Sequence, residues 1–131
     1  MHDAGMLSAS VTQTISIDAP PETVLDLVGD PRNLPRWAPG FAQDVRKDGD
    51  GWIVVTGSGE LRRHIPVSRE HGTVDYLAEP GARLGLFTRV VPNGDGSHLT
   101  FTFVIPADRD AEEIAAILRS ELEAVKRLCE R

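Results

Sequence analysis

Glu121 is the most unusual titratable residue of this sequence, because it falls on the apolar side of a predicted helix. At 100° per residue, residues 108–131 form one long amphipathic helix. Glu121 lies near the middle of its apolar arc, with Leu118 and Val125 one turn away on either side. A carboxylate in that position is costly to desolvate unless it is paired or protonated. Its pKa should therefore rise if desolvation dominates and fall if a cation lies close by.

Arg63 is the candidate partner of Glu121. Alternation along a predicted strand places Arg63 on one face with Leu61, Ile65 and Val67. Arg63 is the one charged residue on this otherwise apolar face. An arginine–carboxylate contact can be bidentate and fixed in geometry. The functional hypothesis is that Arg63 and Glu121 meet in or beside a cavity, where they orient a ligand or act as acid and base. The favoured alternative is a purely structural pair, or two side chains that reach solvent at the sheet edge.

Three aromatic side chains complete the candidate chemistry. Tyr76 alternates with Val74 and Ala78, so its ring should point inward with the hydroxyl available, although buried tyrosines usually just bond a neighbour. Trp37 and Phe41 lie where a predicted helix passes into the sheet. Stacking on a planar ligand is the functional interpretation of this pair, and core packing is the commoner role.

Other kinds of site lack their motifs. Cys129 is the single cysteine, so an internal disulfide and a thiolate metal site are excluded, and its place on the apolar arc favours packing. The four histidines show no metal-ligand spacing. A Gly-x-Ser-x-Gly nucleophile turn and the glycine-rich phosphate and dinucleotide loops are also missing. We therefore expect neither a metal nor a cofactor.

Size and charge narrow the class further. The 131 residues suffice for one domain, expected at 11–131 after a flexible tail at 1–10. A net charge of −6 argues against nucleic acid as a partner. No stretch approaches the roughly 18 apolar residues of a membrane span, and the N-terminus lacks the features of a signal peptide. The expected location is the cytoplasm, without stable membrane insertion.

The pattern along the chain predicts one strand, two short helices, six strands and the long helix. Asp30 can cap the second short helix, with Pro31 at its first position. Turns at 48–51 and 92–96 are rich in glycine and aspartate. The predicted strands cover residues 11–17, 41–47, 52–56, 60–68, 73–79, 83–91 and 98–105. Short connections between the last six indicate an antiparallel meander.

The chain resembles the START-like (SRPBCC) superfamily, which includes the polyketide cyclase/dehydrase and lipid-transport family. The resemblance rests on ISIDAPPETVLDLV at residues 15–28, Asp30-Pro31, LPRW at 34–37, TRVVPNGDG at 88–96 and the closing helix. It implies an α+β helix-grip fold, with an antiparallel sheet of about seven strands around the long C-terminal helix. The superfamily spans several activities, and no catalytic residue of its aromatase/cyclases is matched here, so none is carried over.

Three functions follow in order of preference. The first is binding of a small hydrophobic or aromatic molecule, polyketide- or lipid-like, between the sheet and the helix, by a monomer or homodimer. The second is a cofactor-independent cyclase, aromatase or dehydratase that uses Glu121, Arg63 and Tyr76. The third is protein interaction or dimerisation through the outer sheet face (Arg62, His64, Arg89, His98). The residues expected to contact the ligand are Trp37, Phe41, Arg63, Tyr76, Leu86, Phe101, Phe103, Ile117, Leu118, Glu121 and Val125.

Overall fold

The order of helices and strands follows the sequence prediction, with one additional strand. The computed structural model describes residues 7–82, 84–106 and 108–131. Within these ranges the chain forms three α-helices, α1 (Pro21–Val28), α2 (Leu34–Trp37) and α3 (Ala111–Cys129). The strands are β1 (Ser10–Ile17), β2 (Asp44–Asp48), β3 (Gly51–Thr56), β4 (Gly59–Arg63), β5 (Val67–Ser68), β6 (Thr73–Leu77), β7 (Gly85–Asn93) and β8 (Gly96–Val104).

Two predicted boundaries fall partly outside the described residues. Residues 1–6 of the predicted tail lie outside them, and β1 begins at Ser10, within that tail. The carbonyl of Ala9 accepts a hydrogen bond from the N–H of Ile105 at 2.8 Å, which continues the pairing of β1 with β8. Arg83, the predicted start of a strand, also lies outside the described residues, and β7 begins at Gly85.

Prolines and an aspartate fix the two short helices after β1. Pro21 occupies the first position of α1, where a missing N–H costs nothing. The side chain of Asp30 accepts a hydrogen bond from the N–H of Arg32 at 3.1 Å and so caps a 3-10 turn over Pro31–Asn33. α2 follows directly and ends at Trp37. The predicted cap and the predicted proline position are both confirmed.

The strands form two antiparallel sheets, in the orders β1-β8-β7-β6-β5 and β2-β3-β4. An isolated bridge joins them, in which His64 and Leu77 exchange two main-chain hydrogen bonds of 2.8 Å. The prediction of one strand over 60–68 is wrong, because the chain leaves the smaller sheet after Arg63 and joins the larger one at Val67. Pro66 lies in this break, where proline cannot donate to a strand ladder.

The strand predicted at 41–47 begins later, at Asp44. The N–H groups of Phe41 and Ala42 both donate to the carbonyl of Ala38, at 3.0 and 2.9 Å. These bonds close a turn after α2, and the turn keeps Phe41 out of the sheet.

Helix α3 packs against the larger sheet, mainly along β1 and also against β8. Asp110 caps it by accepting a hydrogen bond from the N–H of Glu112 at 3.0 Å. Arg119 and Lys126 attach it to β1 by bonds to Gln13 (2.6 Å) and to the carbonyl of Ser16 (2.9 Å). The buried residues of the helix are Ile114, Leu118, Leu122, Ala124 and Val125. The predicted α+β helix-grip fold, with its antiparallel sheet and long C-terminal helix, is confirmed.

Candidate ligand-binding site

A cavity of about 770 Å³ lies between the smaller sheet, β6, β7 and α3. Its wall is mainly apolar, with a few polar side chains. The lining residues are Leu34, Trp37, Ala38, Pro39, Gly40, Phe41, Val54, Leu61, Arg63, Ile65, Tyr76, Ala78, Leu84, Gly85, Leu86, Phe103, Val104, Pro106, Arg109, Ile114, Ile117, Leu118, Ser120 and Glu121.

Three exposed apolar side chains mark the opening of this cavity. Phe41, Leu84 and Ile117 line it, yet they are 40%, 47% and 41% exposed. They come from the turn after α2, the β6–β7 connection and α3. Because these side chains both line the cavity and reach solvent, the mouth of the cavity lies between these three segments.

Trp37 forms part of the inner wall and is almost completely buried. Its ring lies edge-on to Tyr76, with centroids 5.9 Å apart, and tilted against Phe101 at 5.5 Å. Its indole Nε1 is buried without a hydrogen-bond partner among the described residues. A buried N–H in that state is costly.

Tyr76 lines the cavity, but its hydroxyl is already engaged. It donates a hydrogen bond to the main-chain carbonyl of Val28, the last residue of α1. Burial raises the pKa of Tyr76 well above its ordinary value of 10.0, and the charge of Glu121 raises it further. The phenol therefore stays protonated and holds α1 against β6, which supports a structural role for it.

Glu121 is mostly buried on the cavity side of α3, between Leu118 and Val125 on the apolar stripe. Burial raises the pKa of its carboxyl from 4.5 to about 7. This is the direction predicted for a carboxylate whose desolvation is not offset by a cation. The group can hold or release a proton near neutral pH.

Arg63 lines the same cavity but is not paired with Glu121. No ion pair or hydrogen bond joins the two side chains, and Arg63 Nη1 donates instead to the carbonyl of Arg62 at 2.9 Å. The hypothesis that they form a direct pair is thus corrected. The periodicity of each element places both side chains toward the cavity, but it carries no information on the distance across it.

Most side chains that the sequence assigns to the ligand do line the cavity. The exceptions are Phe101 and Val125, which are fully buried behind the wall. Sequence reasoning named Trp37 of α2 and Phe41 of the loop after it, but not their neighbours Leu34, Ala38, Pro39 and Gly40, nor Arg109 before α3. Pro39 and Gly40 signalled a turn, but no local pattern showed that these neighbours also line the cavity.

The four residues of the predicted outer interaction face are divided between the two sheets. Arg62 and His64 lie in or beside the smaller sheet, while Arg89 and His98 lie in β7 and β8. Arg62 is held by Asp48 at 2.9 Å and by Asp50 at 3.0 Å. Among the described residues, the exposed large apolar side chains outside the cavity mouth are Leu7 and Val67.

A shallow groove of about 210 Å³ lies between α1, α2 and the end of α3. Cys129 lines it, and burial raises the pKa of this thiol to about 11, so the thiol stays protonated. Within residues 7–82, 84–106 and 108–131, no three His, Cys, Asp or Glu side chains come together as a metal site. No helix in these ranges is long and apolar enough to cross a membrane.

Comparison with known proteins agrees with this architecture. A family model described as polyketide cyclase / dehydrase and lipid transport matches residues 8–130, nearly the whole chain. The chain belongs to this family. It is therefore a member of the START-like (SRPBCC) superfamily that its opening residues resemble. No curated protein is similar enough in sequence to match it.

Solved structures of low sequence identity share the fold. XoxI from Bacillus cereus superposes with a TM-score of 0.70 at 18% identity, covering 92% of this chain and 94% of its own. An uncharacterised protein from Bacillus thuringiensis gives 0.71 at 18% identity, with 92% and 98% covered. The Aha1 dimer from Colwellia psychrerythraea gives 0.73 at 14% identity, with 93% and 96% covered. At these identities the likeness establishes the family's helix-grip fold alone.

Proposed function

We propose that this chain binds a small hydrophobic or aromatic molecule, polyketide- or lipid-like, in the cavity between the sheet and α3. The observation that carries the proposal is the cavity itself: about 770 Å³, apolar-walled, with few polar side chains. Pockets for small molecules typically measure about 300–1,000 Å³ and combine these features. Membership of a family described by polyketide cyclisation and lipid transport agrees with it.

The apolar mouth supports the same function. Protein interiors are close-packed, and voids much larger than a water molecule are few, so an apolar space of this size is not ordinary packing. Phe41, Leu84 and Ile117 expose apolar surface where a ligand would enter. A bound molecule would cover part of that surface and fill part of the cavity. Both changes favour binding, because they remove apolar surface from water.

The second candidate function is a cofactor-independent cyclase or dehydratase. It is favoured by Glu121, whose pKa of about 7 is suited to proton transfer at neutral pH. In that reaction Glu121 would act as acid or base and Arg63 would stabilise an enolate oxygen. Tyr76 would contribute less than the sequence predicts, because its hydroxyl donates to Val28.

Native mass spectrometry with a mixed panel of fatty acids, flavonoids and polyketide-like aromatics tests binding. Leu61→Trp projects a larger side chain into the cavity, because Leu61 lines it. Ile53→Trp is the matched control, since Ile53 lies on the neighbouring strand but outside the lining. We expect the wild type and Ile53→Trp to retain a panel member and Leu61→Trp to retain less of it. Equal retention by all three, or none by the wild type, would contradict the proposal, and conversion of the retained compound would establish the enzymatic candidate.

A further inference from the structure

We propose that the molecule held in the cavity is an amphipathic anion, with its apolar body inside and a carboxylate, phenolate or similar anionic oxygen group paired with Arg63. This inference rests on the proposed function and specifies its ligand class. Three observations support it. Arg63 lines the cavity, it has no anionic partner among the described residues, and Glu121 in the same cavity is not paired with it.

Arg63 is held at the cavity by its neighbours in the sheets. It ends β4 opposite Trp52 of β3, and the next residue, His64, forms the bridge to Leu77. Its side chain lines the cavity and is half-buried. Burial lowers the pKa of its guanidinium, which indicates partial desolvation of the charge. An arginine nevertheless remains protonated, so a positive charge lies in the wall.

That charge has no anionic partner in the described part of the chain. In that part of the chain its side chain donates one hydrogen bond, from Nη1 to the carbonyl of Arg62. A guanidinium has five N–H donors in a planar fork, so most of its donors are free for a ligand. The adjacent Arg62 differs sharply, because Asp48 and Asp50 both pair with it. An anion bound to Arg63 would offset the cost of its desolvation.

Glu121 does not supply this anion. It forms no ion pair among the described residues, and its pKa is raised by burial, whereas a paired cation would lower it. Arg109, which is exposed at the cavity, adds a second positive charge to the lining. The lining therefore holds two arginines and one carboxyl group that is partly protonated near neutral pH, so positive charge predominates there although the chain's net charge is −6. Such a site selects an apolar anion over a neutral molecule of the same shape.

Two fluorescent probes with one ring skeleton test this selectivity. 8-Anilinonaphthalene-1-sulfonate carries an anionic group, and N-phenyl-1-naphthylamine is its neutral counterpart. In fluorescence titrations we expect the wild type to bind the sulfonate at least about tenfold more tightly, the effect of one charge-assisted hydrogen bond. Arg63→Met should remove that preference while it leaves affinity for the neutral probe within about twofold, since an Arg stem and Met pack similarly. Arg63→Lys should keep part of the preference.

Arg62→Gln is the matched control, because it removes a cation from the same strand outside the lining. It should leave both affinities unchanged. Retained binding of the neutral probe shows that Arg63→Met is folded. Equal affinity of the wild type for both probes, or sulfonate binding unaffected by Arg63→Met, would overturn the anion preference and leave cavity binding intact. If neither probe binds the wild type, the proposed function itself fails.

Discussion

The hydroxyl of Tyr76 donates a hydrogen bond to the main-chain carbonyl of Val28, at the end of α1. The two residues are 48 positions apart, so the bond ties the first helix to β6 across the fold. The carbonyls in the last turn of a helix have no partner within it, and this bond satisfies one of them. One wall of the cavity is thereby held in place by a side chain that the sequence assigned to chemistry.

Replacing Tyr76 by Phe should therefore lower stability and spare ligand binding. Removing the hydroxyl leaves the Val28 carbonyl without this donor, and a buried group in that state costs about 1–3 kcal/mol. Urea denaturation of Tyr76→Phe should show that loss in the free energy of unfolding, with an unchanged m-value. The affinity for a cavity ligand should change by less than about threefold. Unchanged stability together with lost binding or turnover would instead give Tyr76 a direct role at the ligand.

Glu121 should make the protein less stable as the pH rises. Its pKa is about 7 in the folded protein and 4.5 ordinarily, so between these values the folded state holds a proton that the unfolded chain releases. Rising pH then favours unfolding, by up to roughly 3 kcal/mol between pH 4.5 and pH 8. Glu121→Gln keeps the shape of the side chain but cannot titrate, so it should remove this slope of stability against pH. The variant should therefore be more stable than the wild type at pH 8.

Glu123→Gln is the control for that experiment, because Glu123 is exposed on the same helix. It should keep the wild-type slope. The measurement is chemical denaturation at several pH values. The same slope in Glu121→Gln as in the wild type would mean that another group causes it.

Two neighbouring residues of α3 should differ in their contribution to stability. Both line the cavity, but Leu118 is 4% exposed and Ile117 is 41% exposed at the mouth. Leu118→Ala should cost about 2–4 kcal/mol, because it removes buried methyl groups. Ile117→Ala should cost less than about 1 kcal/mol and mainly weaken ligand binding. Thermal unfolding and a probe titration measure the two effects, and equal destabilisation would contradict the assigned mouth.

The sequence predicted the fold well because the relevant signals are local. The alternation in β1, the Asp30-Pro31 start and the 3.6-residue period of α3 each depend on near neighbours in the chain. The division of residues 60–68 between two sheets was missed, although Pro66 gave a local signal for it. The alternation of Leu61, Arg63, Ile65 and Val67 continues across the break between β4 and β5. The pattern therefore looks like one strand, although the chain changes sheets there.

For the site, the sequence predicted which way single side chains point, but not which of them come into contact. Glu121 and Arg63 each point into the cavity, as the periodicities of α3 and β4 require. Whether they touch depends on the packing distance between a helix and a sheet, and no local pattern records that distance. The ring of Tyr76 was likewise assigned correctly to the interior, but its hydroxyl is not available as expected. Its acceptor, the Val28 carbonyl, is a main-chain atom that any residue would supply.

The chain has two tryptophans, and they provide the most direct test of ligand binding in the cavity. Trp37 lines the cavity, whereas Trp52 lies outside the lining, with Lys47 Nζ 4.7 Å from its ring centroid. Their two indole N–H signals can be followed in a ¹H–¹⁵N spectrum, with Trp52→Phe to assign them, as neutral N-phenyl-1-naphthylamine is added. We expect the Trp37 signal to shift and saturate while the Trp52 signal moves much less. A stationary Trp37 signal, or a shift of Trp52 alone, would contradict ligand binding in the cavity.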